Sequence, residues 1–170
     1  YTNADGLTTY FGKNEGTVVR GGEEDHDGRH ATKVVLDLTT MAVYSTTDEL
    51  VVAENVSIPA GAMIEEVWLR VLKETAGSTA NLDLGLVKKS DRATEIDFNG
   101  LITAGDDVNG GTDLGALYKY IKGTTDAGAL VGGAPLTYSG LITASAETAD
   151  WTAGIIEITV FWSIPLAADL

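Results

Sequence analysis

From Lys33 onward, apolar and polar residues alternate with a period of two in several separate runs, the mark of strands that turn one face to a core. In Lys33–Thr39, Val34, Leu36 and Leu38 share a face. Leu50–Val56 forms a second apolar run, and Ser57–Gly61, with Pro59 and Gly61, reads as the turn that closes it. Asn81–Lys88 is the most regular stretch, with Leu82, Leu84 and Leu86 on one side and Asp83 and Gly85 on the other. In Gly154–Ser163, Ile156, Ile158, Val160 and Trp162 alternate with Glu157, Thr159 and Phe161 until Pro165 ends the pattern.

Two segments are not settled by period. Ile64, Val67, Trp68, Val71 and Leu72 have helical spacing, yet Val67, Leu69 and Val71 also alternate as a strand. The turn before them and the β-rich surroundings favour a strand over residues 62–73. Leu114–Lys122 carries two tyrosines without clean alternation, and a short helical turn fits it equally well. An internal echo links Phe98–Ala104 (FNGLITA) with Tyr138–Ala144 (YSGLITA) at an offset of 40 residues. Two copies are too few for a solenoid, so the echo reads as two similar strand entries in related positions of two sheets. Six to eight short strands separated by turns predict an all-β chain folded as a β-sandwich, jelly-roll-like in its connections.

The first thirty residues lack this periodicity. Gly and Asn recur, a charged cluster runs from Gly21 to Gly28, and the apolar residues come in knots: Leu7, Tyr10–Phe11 and Val18–Val19. So long a stretch without regular structure is unusual inside a compact domain. The expected organisation is therefore an extended N-terminal arm over residues 1–31 and a single β-sandwich domain over residues 32–170. Within the arm, Leu7, Tyr10 and Phe11 are the expected assembly contacts.

Composition narrows the function. Eleven Lys and Arg stand against 25 Asp and Glu, a formal net charge of -14. Nucleic-acid binding draws on basic side chains to displace phosphate counterions, so no nucleic-acid partner is expected. Anionic membrane surfaces are disfavoured for the same reason, and no apolar run approaches the roughly 20 residues that cross a bilayer. The chain starts at Tyr1 with a polar stretch, so no signal peptide is expected within it. It has no cysteine, which removes disulfides, thiol catalysis and Cys-based zinc sites.

Candidate chemistry is sparse. His26 and His30 are spaced i, i+4, as two metal ligands on a helix would be, but Gly21, Gly22 and Gly28 oppose a helix there. A solvated acidic loop is the expectation. Asp106–Asp113 gathers oxygen donors around a tight turn without the EF-hand spacing, and reads as a polar turn. Neither G-x-S-x-G nor S-x-x-K occurs, and the chain has no Walker loop and no G-x-G-x-x-G. No catalytic residue, cofactor or metal is expected. Trp68, Trp151 and Trp162 could stack on sugars, but two of the three, Trp68 and Trp162, sit within strand-like runs, where such residues are usually core.

The order of elements resembles that of head-decoration, or cement, proteins of tailed bacteriophages. The resemblance rests on Tyr1–Leu7 followed by Tyr10–Phe11–Gly12, on Ile58–Ile64 (IPAGAMI), on Asn81–Leu86 (NLDLGL), on Phe98–Ile102 (FNGLI), and on the closing aromatic-rich strand. It implies a β-sandwich, often jelly-roll-like, that assembles as a trimer on the outer capsid surface of a virion. There it would bind the major capsid protein and clamp neighbouring subunits. The family brings no catalytic motif. Two other readings stay open at this point. One is a tail-fibre or host-recognition module that binds carbohydrate. The other is a glycoside-degrading enzyme with two carboxylates about 5–9.5 Å apart.

Overall fold

The computed structural model describes residues 23–26, 29–41, 50–77, 80–103, 120–122, 127–147 and 149–165. Nine strands run through them: β1 (Glu23–His26), β2 (Arg29–Asp37), β3 (Leu50–Val51), β4 (Met63–Ala76), β5 (Asn81–Lys88), β6 (Glu95–Ile102), β7 (Tyr120–Lys122), β8 (Gly140–Glu147) and β9 (Ala153–Ser163). They form one sheet of order β1-β2-β9-β4-β7 and a second of order β3-β8-β5-β6. All the strand pairings are antiparallel. From β2 onward the chain passes back and forth between the sheets, so that β2-β9-β4-β7 lies against β3-β8-β5-β6. That is the eight-stranded, double-Greek-key order of a jelly roll. The fold is all-β.

Periodicity explains most of it. In β2, Val34 and Leu36 are buried while Lys33 and Asp37 are exposed, and the strand pairs along its whole length with β9. Asp37 then ends the strand, its carboxylate accepting from the Thr39 N–H at 3.0 Å and the Thr39 hydroxyl at 2.8 Å to cap a 3-10 turn over Leu38–Thr40. The core between the sheets gathers Val34, Leu36, Leu38, Ile58, Val67, Leu69, Leu82, Leu84, Leu86, Ile142, Ile156, Ile158 and Val160. Trp162 belongs to it, its indole N–H donating to the buried Thr32 hydroxyl at 2.8 Å.

The ambiguous segment is a strand. Its helical spacing comes from irregular register: the pairing of β4 with β9 shifts between Ile64 and Glu66, and again after Val71. A bulge at Glu65 lets Ile64 and Val67, three apart, face the same core, which mimics a helix period. The Leu50–Val56 run is shorter as a strand than the apolar pattern predicts, since β3 spans only Leu50–Val51. In the Leu114–Lys122 segment, Tyr120–Lys122 is strand rather than helical turn, and 114–119 lie outside the described residues.

The echo resolves differently from expectation. As far as it is described, its first copy closes β6 and its second opens β8, so only the second is a strand entry; the two strands belong to one sheet and flank β5 on opposite sides. Residues 127–140 then stitch the two sheets together. The Leu130 N–H donates to the Gly100 carbonyl at 2.9 Å, the Gly132 N–H to Ile64 at 2.7 Å, and the Leu136 N–H to Ala62 at 2.8 Å.

The first sheet begins at Glu23, within the stretch read as an arm. β1 and β2 form a hairpin in which Glu23 pairs with Thr32 and His26 with Arg29. The sequence between them, Asp27–Gly28, is a dipeptide that two-residue hairpins favour. The acidic stretch around His26 is therefore partly strand and not a loop throughout. Residues 1–22, with Leu7, Tyr10 and Phe11, lie outside the described residues.

Candidate assembly surface

The outward face of the five-stranded sheet is specified by register. Successive rows across β2, β9 and β4 are Arg29–Ser163–Met63, Ala31–Phe161–Glu66, Lys33–Thr159–Trp68 and Val35–Glu157–Arg70. This face is neither core nor plain solvent surface, because Ala31, Val35, Trp68 and Phe161 are each half-buried.

Arg29 organises one end. Its Nε lies 2.8 Å from the Glu65 carboxylate and its terminal nitrogen 2.9 Å from Glu66. The same guanidinium sits 4.4 Å over the Phe161 ring. Trp68 closes the group, with its indole N–H donating to Glu66 at 3.2 Å and its ring meeting Phe161 at 5.1 Å and 66°. The bulge at Glu65 is what presents two successive glutamates to a single arginine. One row further along, Glu157 lies between Lys33 at 3.7 Å and Arg70 at 3.6 Å. Tryptophan, phenylalanine, methionine and arginine are the residues that protein interfaces favour, and tryptophan and arginine recur as binding hot spots.

A second polar group lies on the outward side of the four-stranded sheet. There Asp83 sits opposite Ser145, and Gly85 opposite Thr143. All three side chains are buried, Asp83 at 5%, Ser145 at 2% and Thr143 at 0% exposure. Among the described residues the Thr143 and Ser145 hydroxyls have no hydrogen-bond partner, and neither has the Asn81 side-chain oxygen. An unsatisfied buried hydroxyl costs roughly 1–3 kcal/mol. What covers this side is visible at Gly85. β6 pairs Leu86 with Asp97 but Leu84 with Ile102, so residues 98–101 form a wide excursion. A methyl group at Gly85 would collide with the main-chain carbonyls of Asp97 and Phe98.

The residues singled out by sequence are distributed unevenly. His26 and His30 lie on the two strands of a hairpin rather than on one helix, so the i, i+4 spacing is not realised. His30 stacks on Trp162 at 4.2 Å and 14°. Trp162, in a strand-like run, is buried as expected, whereas Trp68, in the other such run, is half-buried on the outward face; Trp151, which precedes β9, is buried too. Asp106–Asp113 is outside the described residues. Sequence reading missed Arg29, Glu65 and Glu66, whose only signal was a charged pair inside an apolar run.

No protein-family model matches the sequence, and neither does any curated protein. Solved structures do match. A chain in the acidic stable capsid structure of Helicobacter pylori bacteriophage KHP30 aligns at 15% identity and TM-score 0.50, covering 86% of this chain and 95% of that one. A chain in the capsid of Ralstonia phage GP4 aligns at 15% identity and TM-score 0.53, covering 83% and 87%. What is shared is the fold. In both pairs the alignment covers more than four fifths of each chain.

Proposed function

We propose that this protein is a structural component of a bacteriophage virion, one that binds the outer capsid surface and cements neighbouring major capsid protein subunits without catalysing a reaction. The observation that carries the reading is the jelly roll matched over most of its length by chains from two phage capsid structures. Composition agrees with it. A net charge of -14 suits a protein displayed at high density, because like charges resist unwanted association.

A specific interface typically buries roughly 1,200–2,000 Å² in total. A trimer would reach lasting attachment by multiplying smaller contacts through avidity. In this reading residues 1–22, carrying Leu7, Tyr10 and Phe11, supply contact area beyond the sandwich. The Arg29–Trp68–Phe161 face is a second candidate contact. The carbohydrate-binding alternative fits that face less well. Arg29 already covers Phe161, and Trp68 meets it at 66°, so the two rings do not make the coplanar platform on which a sugar stacks.

The test is sedimentation of purified protein with phage capsids that lack it. The reading expects saturable uptake at micromolar protein, and an Arg29→Glu variant that weakens uptake at least tenfold while melting as a folded protein. Absence of uptake by the intact protein, on both compact and expanded capsids, overturns the reading.

A further inference from the structure

We propose a Ca²⁺ site on the outward side of the four-stranded sheet, formed by Asp83, Thr143 and Ser145 with the main-chain carbonyls of Asp97 and Phe98. It does not depend on the capsid reading. Three observations converge. First, register places the donors together: Ser145 lies directly across from Asp83, and Thr143 directly across from Gly85, two residues along the same face. Second, the two hydroxyls are buried almost completely and have no partner among the described residues, although neutral hydroxyls in such a place are normally satisfied. Third, Gly85 has no side chain to fill its place, and the Asp97 and Phe98 carbonyls occupy that space instead.

The donors are all oxygens: one carboxylate, two hydroxyls and two carbonyls, with the Asn81 side-chain oxygen, also buried without a partner, two residues before Asp83. Nitrogen and sulfur ligands, which zinc and copper prefer, are absent from this group. Hard cations take such a set, and Ca²⁺ accepts six to eight oxygens in irregular geometry, where Mg²⁺ demands a near-ideal octahedron and keeps several waters. A carboxylate offers about four lone-pair sites, so Asp83 can hold a cation beside another partner. Two strands and the β6 excursion would all contribute, so the ion would tie β6 across β5 to β8.

Because the hydroxyls are sealed from solvent, full-length protein is refolded in CaCl₂ or in EDTA, and then melted and analysed for bound metal. The proposal expects one Ca²⁺ per chain and a melting temperature raised by roughly 5–10 °C at a hundredfold excess over Kd. Asp83→Asn and the near-isosteric Thr143→Val should each abolish the Ca²⁺-dependent rise, and Ser145→Ala should reduce it. Thr143→Val keeps the test decisive if Asp83→Asn does not fold, since a valine there suits the strand. A double variant Asp106→Asn with Asp107→Asn should retain the rise. Three results overturn the proposal: no bound Ca²⁺ and no rise in the wild type; a rise that survives Thr143→Val; or a rise lost only in the Asp106 and Asp107 variant.

Discussion

Asp91, at the tip of the β5–β6 hairpin, shows how much one exposed side chain can do locally. Its carboxylate accepts from the Thr94 hydroxyl at 2.6 Å, the Thr94 N–H at 2.8 Å and the Ala93 N–H at 3.1 Å. These bonds, the Thr94 hydroxyl first, hold its pKa at about 2, below the ordinary 3.8. The folded value is the depressed one, so the turn's contribution to stability is complete above about pH 4 and is lost as pH falls through about 2. A carbon-detected NMR titration should place the Asp91 midpoint near 2, and Thr94→Val should move it up towards 3.8; an unshifted wild-type midpoint contradicts the assignment. In the core, Thr32→Val removes the acceptor of the Trp162 indole N–H. Leaving that buried donor unpaired should cost roughly 1–3 kcal/mol in urea unfolding.

At the scale of elements, β4 carries the sharpest prediction. Deleting Glu65 removes the bulge and the ion pair with Arg29, yet it leaves Ile64, only 1% exposed, two residues from Val67 and still in phase with the core, so the protein should stay folded. Truncating Ile64 to alanine, by contrast, should cost roughly 2–5 kcal/mol, read as lowered thermal stability. Glu65→Gln keeps the bulge and breaks only its ion pair with Arg29, which should cost about 1 kcal/mol or less at this exposure. The same bulge explains what could and could not be read in the sequence. β2, β5 and β9 were legible because their alternation is unbroken and one face of each meets the core. β4 was equivocal because a residue inserted into a strand turns a period of two into a local period of three. β1 was missed although Asp27–Gly28 is a hairpin signal, because its four residues carry no apolar alternation. On β5, the polar side of the alternation suggested an open face, yet it is buried, because glycine at 85 lets the β6 backbone lie directly on the strand. That long-range approach leaves only a glycine in the sequence. The buried hydroxyls of β8 were hidden for the same reason.

For the whole molecule, sandwich architecture was readable from strand count and spacing, whereas the jelly-roll order depends on pairings between distant segments such as β2 with β9. The expected assembly contacts can be removed without touching either sheet. A deletion that stops at residue 22 spares the β1–β2 hairpin, which removal of residues 1–30 would destroy. The truncated protein should melt within a few degrees of the full chain while losing most of its retention on capsids, because Leu7, Tyr10 and Phe11 go with the deleted segment. The most direct measurement is a cryo-EM reconstruction of capsids saturated with the full-length protein. Added density of this jelly roll is expected at symmetry-related positions on the outer shell, each copy touching more than one major capsid protein subunit. Capsids that carry no added density at saturating protein would contradict it.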